Sequence, residues 1–148
     1  MSRFTDHLGL VQLEDERGRP LLTAEGRTLY KLPTSLRYEV GAEGSGEAIT
    51  APAGMRTDLG SIPKFAWSLG FNPNGPGAKG YVIHDFLYET GGTCVWMGAL
   101  KRTRKAPYTR AEADDILREA LKVLGMSAWR RQVIWAAVRA FGGSGWGR

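Results

Sequence analysis

His84 and Asp85 stand side by side in the run Tyr81-Val82-Ile83-His84-Asp85-Phe86-Leu87-Tyr88, with Tyr88 four residues after the histidine. On a helix, residues three and four apart lie over one another, so Tyr88 sits one turn from both His84 and Asp85. Neighbouring residues diverge by about 100°, so His84 and Asp85 point to different sides. Three polar groups thus crowd one end of a helix that is otherwise apolar, and burying them without partners is costly. Asp114, on a later helix, is the expected partner. If the two helices pack antiparallel, it reaches His84 or Tyr88.

A histidine oriented by a carboxylate is the hardware of a general base, and an aspartate beside it can hold a divalent cation that polarises a carbonyl. On this reading His84, Asp114 and Tyr88 carry the catalysis, and Asp85 and Asp58 are the metal ligands. The cofactor is open, with calcium or zinc as the candidate cation. Asp58 comes from the loop Thr57-Asp58-Leu59-Gly60-Ser61, which also brings the Ser61 hydroxyl. The same residues also suit a buried hydrogen-bond network that joins the two halves of the chain, and the sequence leaves both readings open. A Ser61–His84–Asp triad lacks the glycine-flanked elbow that presents a nucleophilic serine. Gly75-Pro76-Gly77 offers backbone groups to an anion or a metal but is also ordinary turn chemistry. His7 is expected at the surface.

The elements that must position these groups follow from the periodicity. Residues 1–60 read as short antiparallel strands. Leu8 to Leu13 alternates in part, Asp15-Glu16-Arg17-Gly18-Arg19-Pro20 is a turn, and Leu36 to Gly41 places Leu36, Tyr38 and Val40 on one face. The stretch 41–47 is a hairpin loop, since Ala48-Ile49-Thr50 resumes a strand. From Ser61 the period changes. Pro63 suits the first turn of a short helix capped by Ser61, Asn72 to Gly77 is a loop, and a helix spans about Lys79 to Glu89 before Gly91-Gly92 stops it. Residues 93–107 read as a basic, mobile loop.

Thr109-Arg110-Ala111-Glu112 is a capping box that opens a helix ending at Gly125. Its apolar stripe is Ala113, Ile116, Leu117, Ala120, Leu121 and Leu124, with Asp114 on the flank and Asp115 in water. Ser127 caps a last helix through Phe141. Its core side is assigned to Trp129, Val133, Ala136, Ala137 and Ala140, with Ile134, Trp135 and Val138 pointing elsewhere. Residues 142–148 form a flexible tail whose Trp146 needs a pocket or a partner. The expected fold is α+β in one domain over residues 1–148. A β-rich part (1–60) packs against a helical part (61–141) of three to four helices.

The bulk numbers fit a domain that folds without cross-links: 148 residues, 43% hydrophobic, and one cysteine, Cys94. No segment approaches the roughly 20 apolar residues of a membrane span. The net charge of +5 divides into −2 over residues 1–98 and +7 over residues 99–148. The cations gather in Lys101-Arg102-Thr103-Arg104-Lys105 and in Arg110, Arg118, Lys122, Arg130, Arg131 and Arg139. Such a surface attracts acidic partners, anionic lipid or nucleic acid, although base-reading and base-stacking motifs are missing.

Three blocks in order, Pro52 to Pro63, Val82 to Tyr88, and Ala111 to Asp114 continuing into Trp129-Arg130-Arg131 and Ala137 to Gly142, resemble the domain-of-unknown-function 1353 family, found mainly in bacteriophages, prophages and gene-transfer particles. The resemblance covers roughly residues 30–145. It implies a phage-encoded accessory or virion-associated protein, made in the host cytoplasm and open to packaging in the particle. Its partners would be phage or host proteins met through the basic, Trp-rich C-terminal helix. Locally, His84-Asp85-x-x-Tyr88 with Ala113-Asp114 is similar to the paired-helix site of phospholipase A2 enzymes. That similarity implies His84 as base, Asp85 as calcium ligand, Asp114 as orienting carboxylate, Tyr88 as its support and Gly75-Pro76-Gly77 as the remnant of a calcium loop. The alternative function is therefore a small metal-assisted hydrolase acting on lipid ester or cell-envelope material.

Overall fold

The computed structural model of the protein describes residues 3–4, 6–24, 26–42, 44–58 and 77–147. Within them the strands are β1 (Arg3–Phe4), β2 (Val11–Gln12), β3 (Tyr30–Lys31), β4 (Leu36–Glu39), β5 (Ala48–Ala51) and β6 (Arg56–Thr57). Next come α1 (Ala78–Glu89), the pair β7 (Val95–Trp96) and β8 (Ala99–Leu100), α2 (Arg110–Val123), α3 (Ala128–Phe141) and a 3₁₀ turn over Gly143–Gly145. This is the expected α+β arrangement, with antiparallel strands in the N-terminal half and three helices in the C-terminal half. The anticipated short helix after Ser61 lies outside the described residues.

Leu36 and Tyr38 alternate with Arg37 and Glu39, and a period of two gives a strand with one apolar face. β4 is paired on both edges in the antiparallel order β1-β4-β5, with Phe4 opposite Tyr38, Tyr38 opposite Ile49 and Leu36 opposite Ala51. A second antiparallel sheet, β2-β3-β6, pairs Tyr30 with Thr57 and ends immediately before Asp58. Asp15 organises the first turn, its Oδ1 accepting from the backbone N–H of Arg17 at 2.8 Å and of Arg19 at 3.0 Å.

α1 is the central element. Its residues from Gly80 to Tyr88 are buried except Asp85, as expected of a helix apolar on nearly every side. It packs on the first sheet and on α2. Gly80 lies against Leu117 and Leu121, while Tyr88, at the other end of α1, meets Arg110 at the start of α2. The two helices are therefore antiparallel. α2 opens with the capping box in full: Thr109 Oγ1 accepts from Glu112 N–H at 3.1 Å and Glu112 Oε1 from Thr109 N–H at 3.0 Å. Glu119 on α2 accepts from the Tyr38 hydroxyl at 2.8 Å, which fastens β4 to the helices.

Four expectations are corrected. Residues 93–107 are a built element, not a mobile loop: β7 and β8 pair, Thr50 N–H donates to Lys101 O at 2.9 Å, and Thr103 N–H donates to Ala48 O at 3.1 Å. Arg102 clamps the segment by donating to the carbonyls of Ala106 (3.1 Å), Lys105 (2.7 Å) and Thr93. The core side of α3 is Ile134 and Val138, whereas Trp129, Val133, Ala136 and Ala140 face solvent. Both stripes are apolar, so hydropathy does not choose between them, and contacts of Arg110 and Arg139 described below fix the rotation. Ser127 occupies the N-cap position of α3 without a side-chain capping bond. Finally, the tail is docked: Gly147 N–H donates to Tyr88 O at 2.7 Å, and Trp146 packs on the core.

Candidate functional site

The antiparallel pairing of α1 and α2 brings His84 and Tyr88, one turn apart, opposite Asp114. His84 Nε2 lies 2.8 Å from Asp114 Oδ1, and the Tyr88 hydroxyl donates to the same oxygen at 2.7 Å. Arg139 on α3 donates to Oδ2 at 2.8 Å. Arg110, four residues before Asp114, donates from Nε to the Tyr88 hydroxyl at 3.1 Å. Its other end donates to the carbonyls of Val138 (2.9 Å) and Arg139 (2.8 Å), where a helix C-terminus favours a cation. The Trp146 ring meets the Tyr88 ring edge-on at 5.1 Å. One carboxylate thus gathers groups from all three helices, and the tail covers the assembly.

Electrostatics fix the protonation states. Burial lowers the His84 imidazole below its ordinary value of 6.5, outweighing the pull of Asp114. Burial alone would raise Asp114, but hydrogen bonds from His84, Tyr88 and Arg139 outweigh it and hold the carboxyl below 3.8. Tyr88 is pushed up to about 12 by burial and by Asp114, against the opposing effect of Arg110. Distance alone would allow a His84–Asp114 ion pair. Arg139 already balances the carboxylate, however, so a second cation inside the cluster is uncompensated and the imidazole is neutral. An ionised carboxylate only accepts, so His84 donates through Nε2–H and its Nδ1 is the basic nitrogen.

This is the oriented imidazole that general-base chemistry needs. It is also closed: His84 is 3% exposed and Asp114 0%. The other candidate residues lie elsewhere. Asp85 points away from His84 and, with Thr23, Arg56, Thr57, Asp58 and Glu89, lines a separate cleft of about 340 Å³. Asp58 Oδ2 is 3.7 Å from an Arg27 guanidinium nitrogen. Among the described residues no group of three or more His, Cys, Asp or Glu side chains is arranged to hold a metal ion. Ser61, Gly75 and Pro76 lie outside the described residues, while Gly77 is the N-cap residue before α1 and His7 is exposed.

Sequence reasoning missed Arg110, Arg139, Trp146 and Glu89. Arg110 was within reach of it, standing one turn before Asp114 on the capping-box helix, and Glu89 stands one turn after Asp85. Arg139 and Trp146 join through tertiary packing that no local spacing encodes. The basic run 101–105 is also partly spent inside the fold. Arg104 donates to both oxygens of Glu112 at 2.7 and 2.8 Å and to the carbonyls of Ala106 and Pro107.

Fold and site together define an α+β protein whose helix pair encloses a histidine–aspartate–tyrosine cluster locked by two arginines. The chain belongs to the family described as Protein of unknown function (DUF1353), whose family model matches residues 30–138. That span includes His84, Asp85, Tyr88, Arg110 and Asp114 and stops just before Arg139. No curated protein and no solved structure matches the chain.

Proposed function

We propose that this chain is a phage-encoded accessory or virion-associated protein that acts through protein contacts, with the His84–Asp114 cluster as the lock of its scaffold. The phage setting is what the resemblance of its three sequence blocks implies. The observation that carries the contact role is the outer stripe of α3: Trp129, Val133, Ala136 and Ala140 recur on one helical face in water, and Trp129 is 60% exposed. A large aromatic held out of the core at the head of an apolar stripe is the usual anchor of a protein interface. Arg130 stacks on the Trp129 ring at 5.2 Å, which adds a cation to the same surface.

The test is to place a photo-crosslinking side chain at position 129 and, separately, at exposed Glu16 during infection, and to probe gradient-purified particles for the chain. A discrete adduct with one phage or host protein formed from 129 and not from 16 supports the reading. It is abandoned if both positions give the same smear and a folded Trp129→Asp chain enters particles at the wild-type level.

The second reading, a metal-assisted hydrolase, draws on the cleft that carries both Asp58 and Asp85. Calcium or zinc should then raise the melting temperature of the wild type and not of Asp85→Asn. No shift in either protein ends it.

A further inference from the structure

Six consecutive residues, Val95-Trp96-Met97-Gly98-Ala99-Leu100, carry no polar side chain. The five that follow, Lys101-Arg102-Thr103-Arg104-Lys105, carry four cations, and no acidic residue occurs between Thr93 and Tyr108. The six apolar residues are the β7–β8 hairpin. Its register pairs Trp96 with Ala99, so the turn is Met97-Gly98, at φ +48° and +82°. Two positive φ values make a type I′ turn, whose first position ordinarily takes Asn, Asp or Gly. Here it holds a methionine that is 93% exposed. Val95 and Leu100, a cross-strand pair, are exposed as well. Beyond its chain neighbours, nothing lies within 4 Å of where a Gly98 side chain would begin.

The foot of this hairpin is held hard. Lys101 N–H donates to Cys94 O at 2.7 Å, Lys101 O accepts from Thr50, and the Arg102 guanidinium spans three carbonyls below it. An apolar tip on a fixed base has little ordering entropy left to lose on docking.

We infer that the hairpin is a membrane-docking prong that inserts its tip into the interface of an anionic bilayer. The exposed Met97 at the turn and the exposed cross-strand pair Val95 and Leu100 form one continuous apolar tip, and the cations behind it match the charge of an anionic bilayer. Three residues at about 3.3 Å each reach roughly 10 Å, the depth of the headgroup–acyl boundary. Trp96, beside the turn and partly buried against the core, is the ring type that collects at that boundary. Lys101 and Lys105 follow directly behind the tip, where cations meet anionic headgroups. Among the described residues no helix is long and apolar enough to cross a membrane.

Co-flotation of the full chain with vesicles of phosphatidylcholine alone, or with about one-third phosphatidylglycerol, tests this. The wild type should float with the anionic vesicles, less with the neutral ones, and be released by salt. Met97→Asn creates the favoured Asn-Gly turn, so the hairpin stays formed while the apolar tip is lost. Its partition should fall at least about tenfold. Lys101→Glu with Lys105→Glu should remove the preference for anionic lipid. The inference is overturned if the wild type floats with neither vesicle, which leaves the prong to a protein pocket. It is equally overturned if Met97→Asn floats like the wild type, or if Trp129→Asp abolishes flotation and Met97→Asn does not.

Discussion

His84 and Asp114 are joined by a 2.8 Å hydrogen bond in which both side chains are out of water. Neither group is tolerable alone at that depth, so the bond makes the α1–α2 pairing specific as well as tight. Asp114 also accepts from Tyr88 and Arg139, which makes it the residue on which the cluster depends. Asp114→Ala, which strands all three donors, should destabilise the fold by about 3–5 kcal/mol. Asp114→Asn, which keeps the volume and one acceptor, should cost about 1–2 kcal/mol. Urea denaturation of the two variants separates them. Equal losses would mean that the cluster contributes packing and little else.

The protonation states give a pH dependence with a definite sign. Burial holds the His84 imidazole below the ordinary value of 6.5 that it has in the unfolded chain. Below that pH the unfolded state binds a proton that the folded state refuses, so stability falls as pH drops from 6.5 toward 5. Asp114, lowered from 3.8, acts in the same direction in a separate, more acidic window. His84→Gln should flatten the upper limb of a plot of melting temperature against pH and leave the acidic limb. If the wild type gains stability between pH 6.5 and 5, the neutral assignment of His84 is wrong.

Arg104 and Lys105 are equivalent in the sequence and different in the fold. Arg104 binds both oxygens of Glu112 and two carbonyls, and its guanidinium lies 3.8 Å from the centre of the Tyr108 ring. Glu112 is held down to about 2 by that contact, with help from the Thr109 N–H. The pair is partly exposed, so screening discounts its ionic part. Even so, Arg104→Ala should cost about 1–2 kcal/mol and Lys105→Ala less than about 0.5 kcal/mol in thermal denaturation.

Gly92 closes the junction between α1 and the β7–β8 segment at φ +81°, and a Cβ there would stand 1.8 Å from the carbonyl oxygen of Tyr108. The obstacle is backbone, and Tyr108 N–H also donates to Gly92 O at 2.9 Å, so neither side can retreat without breaking a bond. Gly92→Ala should lose more than about 3 kcal/mol or fail to accumulate as folded protein. A variant melting within a few degrees of the wild type contradicts this packing.

What the sequence disclosed and what it withheld follow one physical line. Thr109 and Glu112 spell the capping box because both partners lie within one turn. Asp114 was placed toward His84 because helical spacing sets its angle. The rotation of α3 was not legible, since Ile134-Val138 and Trp129-Val133 are equally apolar stripes. The choice is made by Arg139 reaching Asp114 and by Arg110 reaching the carbonyls at the end of α3. Arg102 and Arg104 read as part of a basic, mobile loop because their acceptors are largely backbone carbonyls, which no side-chain pattern records. Trp146 read as part of a loose tail because its contact, Tyr88, lies on an element much earlier in the chain.

Met97 sets a final prediction in which stability and function part. A methionine in the left-handed region is strained by roughly 1–2 kcal/mol, and this one recovers nothing by packing because its side chain stands in solvent. Met97→Asn supplies the residue type that the turn prefers, so it should stabilise the protein by about 1 kcal/mol and raise the melting temperature by about 3 °C. Lys101 and Arg102 anchor the hairpin from its foot, so the gain should appear without rearrangement elsewhere, as unchanged far-UV circular dichroism. A rise in stability together with lost vesicle flotation is what a strained residue kept for contact must show. A fall in stability would mean that Met97 is packed in solution and that the exposed prong does not exist.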